Sequence, residues 1–238
     1  NKNKKEEKDN NMINQVKRER KRVKNEEIAN AYELSSLYGK AFFDSTNGVG
    51  FAVLDETQYA FIHSNAYYTG VTQKYYKAEN TASNTYKLTA YSDEALTTEA
   101  GTVYTVKITD DGISLSFTNA QHANQAGTEY AMTHVFSSLF NTTYSVAVNA
   151  NYTMTFVIYD ENSLKYGSSD TRYYKITNVT ADSETKKLAY EMTWYTDEAK
   201  TAAHGTVTTL TIKDDSTISV LFEGGHGSGQ TMEMTKSE

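Results

Sequence analysis

The chain has 238 residues, no cysteine, no proline, 12% aromatic side chains and a net charge of −7 at pH 7. The lack of cysteine excludes disulfide bonds, thiolate metal ligands and a cysteine nucleophile, and no stretch approaches the ~20 apolar residues of a membrane-spanning helix. Residues 1–27 carry a net charge of +4 and the remainder −11. This acidic body argues against nucleic-acid binding, because phosphate contacts need a positive surface.

The N-terminal segment, residues 1–34, is polar and charged and contains no glycine. Apolar residues spaced three to four apart predict a helix over 12–36 with a narrow apolar seam, preceded by a solvated start at 1–11. The basic run at 17–24, KRERKRVK, suits a nuclear-localisation, RNA-binding or anionic-membrane patch. We favour the alternative interpretation, a solvated helical stalk over residues 1–34.

The sequence begins at Asn1 rather than at methionine, which suggests a processed N-terminus. A removed signal peptide or a lipid anchor upstream of Asn1 is one explanation, and a trimmed chain is another. The composition, rich in Asn, Lys, Thr and Tyr and free of cysteine, favours a bacterial source. We therefore expect an extracellular or cell-surface location in the bacterial envelope.

After the N-terminal segment the chain repeats itself. Residues 91–111 and 195–215 are identical at twelve of twenty-one aligned positions. Four other stretches match at offsets of 98 to 105: SSLY (35–38) with SSLF (137–140), FAVLDE (51–56) with FVIYDE (156–161), YYK (75–77) with YYK (173–175), and GTEYAMT (127–133) with GQTMEMT (229–235). The sequence therefore predicts an internal duplication with two domains, 35–136 and 137–238.

Apolar and polar residues alternate within each repeat, as in strands with one buried face. Residues 104–108 and 113–118 alternate on either side of an Asp-Asp-Gly turn, which predicts a hairpin. Further strands are predicted near 37–43, 49–55, 58–63, 72–79, 85–91 and 128–134. The predicted fold is mainly β: an N-terminal α-helix followed by two tandem antiparallel β-domains. Small up-and-down barrels are the first choice, and sandwiches are the alternative.

Two acidic pairs recur in the loops that lead into the repeated hairpins, Asp93-Glu94 and Asp197-Glu198. An acidic loop presented twice could coordinate a cation or dock a basic partner. The alternative is a polar connection with a helical turn, whose dipole favours acids near its start.

The histidines and serines give no catalytic or metal signature. None of the five histidines has a spacing typical of a metal site, and no Ser-His-Asp arrangement or phosphate-binding glycine loop stands out. We expect no enzymatic activity, no metal and no cofactor.

Adjacent aromatic residues are the main candidates for binding. Neighbours on a strand point to opposite faces, so that at most one of each pair enters the core and the other forms an aromatic plate outside. Such plates suit glycan stacking or protein contacts, and the alternative is cross-strand packing. The candidate residues are Tyr75, Tyr76, Tyr173, Tyr174 and Trp194, with Tyr76 and Tyr174 taken as the exposed rings.

The sequence thus favours an exported or surface-attached, non-enzymatic binding or adhesion protein. Its partner would be a protein or glycan at the cell surface, recognised by tyrosine-rich sheet surfaces. One alternative is a lipocalin-like carrier of a small apolar ligand, which a cavity in each repeat would favour. A structural component of the envelope is the other alternative.

Overall fold

A computed structural model describes residues 12–21, 32–119, 126–224 and 229–237 of the chain. Residues 12–21 form helix α1, whose residues are all exposed, including the apolar Met12, Ile13 and Val16. In the described residues no helix has the length and apolar character needed to cross a membrane. Residues 1–11 and 22–31 of the predicted stalk lie outside the described part.

The predicted helix over 12–36 is wrong at its C-terminal end. Leu34–Leu37 form a separate 3-10 turn, and both leucines are buried. The tighter turn places these side chains against the core of the first β-domain, which a solvated helix would not do. The second domain begins in the same way, because the 3-10 turn Ser137–Leu139 carries the buried Leu139.

Eight antiparallel strands form barrel 1, each paired with the next in the chain. The last strand closes the barrel by pairing with the first, with Phe42 opposite His134. The strands are β1 (Lys40–Asp44), β2 (Val49–Val53), β3 (Gln58–Ser64), β4 (Thr69–Ala82), β5 (Thr85–Tyr91), β6 (Glu99–Thr109), β7 (Gly112–Asn119) and β8 (Tyr130–His134).

Barrel 2 repeats this topology, and its last strand closes onto its first. The strands are β9 (Thr143–Asn149), β10 (Tyr152–Ile158), β11 (Ser163–Tyr166), β12 (Arg172–Ala181), β13 (Leu188–Tyr195), β14 (Ala203–Ile212), β15 (Thr217–Glu223) and β16 (Gln230–Lys236). The predicted mainly-β fold of two tandem antiparallel domains is confirmed, and both domains are closed barrels rather than sandwiches.

One outer face of barrel 1 is buried against barrel 2. Ala41, Ala52, Ala60 and Ile62 alternate with interior residues on β1 to β3, yet all four are fully buried. They belong to the same apolar cluster as the interior of barrel 2. The near-continuous apolar runs of β1 to β3 are therefore explained by burial on both faces of these strands.

The junction between the barrels also contains polar contacts. The Ile176 N–H donates to the Gly39 carbonyl at 2.7 Å, and Lys40 forms an ion pair with Glu161. Gly39 has a φ of +78°, and a Cβ there would lie 2.5 Å from the Cβ of Lys175. Only glycine fits this position, because β12 of barrel 2 passes directly over it.

Candidate ligand-binding site

The two tyrosines predicted to face a partner lie inside the barrels. Tyr76 and Tyr174 are fully buried, and their hydroxyls donate to the carbonyls of Asp55 at 2.7 Å and Asp160 at 2.9 Å. Burial raises the pKa of both phenols far above the usual range, so that both remain neutral donors. The prediction that these rings are exposed is wrong, because the strand register directs them inward.

The other member of each pair lies on an outer face and is half-buried. Tyr75 is opposite Tyr91 on the neighbouring strand, and Tyr173 is opposite Tyr195. These tyrosines form cross-strand pairs on the sheet surface. The packing alternative therefore describes their contacts.

The acidic loops are organised by their own aspartates. Asp93 accepts hydrogen bonds from the backbone N–H groups four and five residues further along, at 3.1 and 2.7 Å. Asp197 repeats this arrangement at 3.1 and 2.6 Å. These bonds lower the pKa of both carboxyls. Glu94 and Glu198 are exposed, and the described residues contain no group of three or more metal-ligating side chains.

A pocket of about 330 Å³ lies at the end of barrel 2 that includes the connection from β11 to β12. We call this the distal end. Its position follows from β13, on which Tyr190 belongs to the end that contacts Phe136 at the junction, whereas Trp194 lines the pocket four residues further along. The pocket is lined by Tyr152, Tyr166, Gly167, Ser168, Ser169, Arg172, Trp194, His204, Thr206 and Phe222.

The walls of the pocket are mainly aromatic. The ring centroids of Tyr166 and Phe222 are 4.8 Å apart, and the Trp194 indole lies 6.0 Å from Tyr166 and 6.2 Å from Phe222. Trp194 is held in place because its Nε1–H donates to Thr208 Oγ1 at 2.9 Å. Fixed aromatic faces of this kind suit a flat ligand.

Polar side chains also line the pocket. His204 Nδ1 and Thr206 Oγ1 are hydrogen-bonded at 2.9 Å. Burial, followed by the neighbouring Tyr152, raises the pKa of Tyr166, which therefore remains a neutral hydroxyl. Gly167, in the connection from β11 to β12, has a φ of +53° and brings the backbone close to the hydroxyl of Tyr152.

Strand register identifies the corresponding positions in barrel 1. Leu88 pairs with Tyr104, as Met192 pairs with Thr208, so Tyr104 and Thr208 are equivalent. By the same comparison, Tyr59, Tyr104 and Tyr130 of barrel 1 correspond to Leu164, Thr208 and Met232 of barrel 2. Ala90 and Ala100 of barrel 1 correspond to Trp194 and His204 of barrel 2.

The aromatic rings are distributed differently as a result. In barrel 1 the rings of Tyr59 and Tyr104 meet inside the barrel at 5.1 Å, and Tyr104 lies 5.9 Å from Phe117. In barrel 2 the rings of Trp194 and His204 stand at the distal end, with centroids 6.2 Å apart. Rings that fill the interior of barrel 1 thus give way to rings around a pocket.

Arg172 contributes a charged side chain to the lining of the pocket. It pairs with Leu164, whose side chain is fully buried in the core, and paired residues of neighbouring strands share a face. The guanidinium therefore points inward, and its Nη1 donates to the Thr171 carbonyl at 3.4 Å. Its Nε is buried and has no hydrogen-bond partner in the described part of the chain.

Of the residues predicted from sequence, only Trp194 lies in this pocket. Arg172 is the first residue of β12 and directly precedes the candidate residues Tyr173 and Tyr174, but it was not itself predicted as a site residue. The replacement of Ala90 by Trp194 between otherwise similar repeats is the sequence signal that could have identified the site. Searches against protein-family models, curated proteins and solved structures return no match for this chain.

Proposed function

We propose that this protein binds a small, flat and largely apolar ligand inside barrel 2, as a carrier or receptor. The observation that carries the proposal is the pocket of about 330 Å³, whose lining includes the rings of Tyr166, Trp194 and Phe222. This volume lies at the lower end of the range for small-molecule sites, and an apolar lining with a few polar groups is typical of them.

The function favoured from sequence, adhesion through tyrosine-rich sheet surfaces, has less support. Of the paired tyrosines on which it relied, Tyr76 and Tyr174 are core residues. The outward-facing Tyr75 and Tyr173 are half-buried in cross-strand pairs. A cavity in each repeat would favour the carrier alternative, and the pocket of barrel 2 supports it for the second repeat. Location at the bacterial cell surface and a lipid anchor remain predictions from the sequence.

Binding of the neutral probe N-phenyl-1-naphthylamine tests this proposal. Trp194 is the only tryptophan of the chain, so energy transfer from its indole to the probe reports binding of the probe to this chain. We expect saturable binding with one probe per chain. Absence of saturable transfer would refute the proposal.

A variant that blocks the pocket tests whether the probe binds there. Ser169 lines the pocket from the connection between β11 and β12, so Ser169→Phe should occupy its mouth and weaken probe binding at least about tenfold. Ser83→Phe, in an exposed turn of barrel 1, is the matched control and should leave binding unchanged. Equal affinities of the two variants would show that the probe binds elsewhere.

A further inference from the structure

Two basic side chains line the pocket of barrel 2. Among the described residues, its lining contains an arginine and a histidine, Arg172 and His204, and no carboxylate, although the chain as a whole has a net charge of −7. The guanidinium of arginine is charged at every accessible pH. A ligand that enters the pocket therefore meets a fixed positive charge and no negative side chain.

Arg172 has unused capacity for hydrogen bonding. Its Nε is buried without a partner, and the described residues supply no carboxylate that pairs with it. A buried donor without a partner costs stability, as does a charge taken out of water without a counter-ion. A planar anionic group is the natural partner, because the guanidinium fork binds carboxylates through two parallel hydrogen bonds.

The position of barrel 1 that is equivalent to Arg172 also carries a cation, Lys74. Lys74 pairs with Tyr59, as Arg172 pairs with Leu164. In barrel 1 the Tyr59 ring packs against Tyr104 at 5.1 Å. In barrel 2 the cation at this position is an arginine, and it lines the aromatic pocket.

We propose that the ligand of barrel 2 is an aromatic acid, with its ring among Tyr166, Trp194 and Phe222 and its carboxylate on Arg172. This inference rests on the proposed function and adds the chemical class of the ligand. Recognition requires both parts: the rings supply apolar contact, and the guanidinium selects the anion.

A matched pair of probes tests the class of ligand. 2-Naphthoate and 2-naphthamide have the same ring and nearly the same shape, and differ in charge. Isothermal titration calorimetry should show that the native chain binds 2-naphthoate at least about tenfold more tightly than 2-naphthamide, as expected for a charge-assisted hydrogen bond. Competition with N-phenyl-1-naphthylamine locates both probes in the same pocket.

Variants assign the selectivity to the arginine. Arg172→Met should lower the affinity for 2-naphthoate to within about twofold of that for 2-naphthamide, while 2-naphthamide binding is retained and shows that the pocket is folded. Arg172→Lys should retain part of the preference. Lys74→Met, the matched change in barrel 1, should alter neither affinity.

The outcomes separate this inference from the proposed function. Equal binding of the two probes by the native chain, or a preference that survives in Arg172→Met, would overturn the aromatic-acid assignment and leave small-molecule binding in place. Failure of all three probes to bind would overturn both. The comparison of probes on the native chain needs no variant, so the test does not depend on the folding of Arg172→Met.

Discussion

The two barrels are built on one plan and are filled differently. Both have eight strands in the same order and begin with a 3-10 turn that buries a leucine. In each barrel a buried tyrosine, Tyr76 or Tyr174, donates a hydrogen bond from its hydroxyl to a loop carbonyl. The topology, the strand register and these tyrosine hydrogen bonds are therefore common to both barrels and do not distinguish them.

The difference lies in where the large rings stand. Barrel 1 has Ala90 and Tyr104 where barrel 2 has Trp194 and Thr208. The large ring is on β6 in barrel 1 and on β13 in barrel 2. The smaller residue is on the neighbouring strand, β5 in barrel 1 and β14 in barrel 2. An exchange of this kind preserves the barrel while redistributing its large rings, and in barrel 2 the ring of Trp194 lines a pocket.

Exchanging these residues should give the largest effect on stability. Trp194→Ala should lower the free energy of unfolding by about 3–5 kcal/mol, because it removes a buried ring and leaves a cavity. Thr208→Tyr should cost about 1–3 kcal/mol by overpacking. The double variant restores the arrangement of barrel 1, and its loss should be smaller than the sum of the single losses by about 1–3 kcal/mol.

Denaturant unfolding of the four proteins measures this coupling. Additive losses would mean that Trp194 and Thr208 do not compete for one space, and the proposed exchange between strands would be wrong. The double variant should also bind N-phenyl-1-naphthylamine more weakly, as judged by the fluorescence of the probe itself.

Acid should act on the junction between the barrels. His134, the last residue of β8, is buried, whereas Lys236, the equivalent residue of barrel 2, is exposed. Burial, followed by the charges of Lys40 and Lys200, lowers the pKa of His134 to about 3. Its Nδ1 also accepts the Phe136 backbone N–H at 3.2 Å, a bond that protonation of Nδ1 would break.

The sign of the pH effect follows from this lowered pKa. Below pH 6.5 the unfolded chain binds a proton at residue 134 and the folded chain does not, so the free energy of unfolding should fall as the pH falls from 6.5 to about 3. Between pH 6.5 and pH 4.5 the loss should be about 2.5 kcal/mol. Denaturant unfolding at a series of pH values measures this dependence. In His134→Leu the free energy of unfolding should no longer show this part of its fall with decreasing pH. Identical slopes for the two proteins would contradict a neutral, buried imidazole.

The smallest expected effect tests what the barrels share. Tyr76→Phe and Tyr174→Phe each remove one hydroxyl that donates to a loop carbonyl, and each should lower the free energy of unfolding by about 1 kcal/mol. Thermal and denaturant unfolding measure both losses. Loss in one barrel and none in the other would show that this hydrogen bond is not common to the two repeats.

Much of the architecture could be predicted from the sequence because its signals are local and appear twice. Alternation of apolar and polar residues in 104–108 and 113–118 identified a hairpin, and its copy near 204–222 supported a duplicated domain. The predicted strands near 49–55, 58–63 and 85–91 agree closely with β2, β3 and β5. Short turns between consecutive strands favoured a meander, which is the observed topology.

The candidate site was harder to predict because it depends on register and on contacts distant in sequence. In an adjacent pair such as Tyr75-Tyr76, a shift of one residue exchanges the inward and outward rings, so the pattern alone did not assign them. The carboxylates of Asp93 and Asp197 are engaged by amides of their own loops, which composition does not reveal.

By itself the sequence determined the duplication, the strand content and the alternation that gives each strand one buried face, since these depend on neighbouring residues and on the match between the repeats. Tertiary structure decided which rings meet and where space remains. Arg172, Trp194 and Phe222 come from β12, β13 and β15, and only closure of the barrel brings them around one pocket. The physical reason is that strand periodicity fixes the direction of a side chain, whereas the packing of several strands fixes what that side chain contacts.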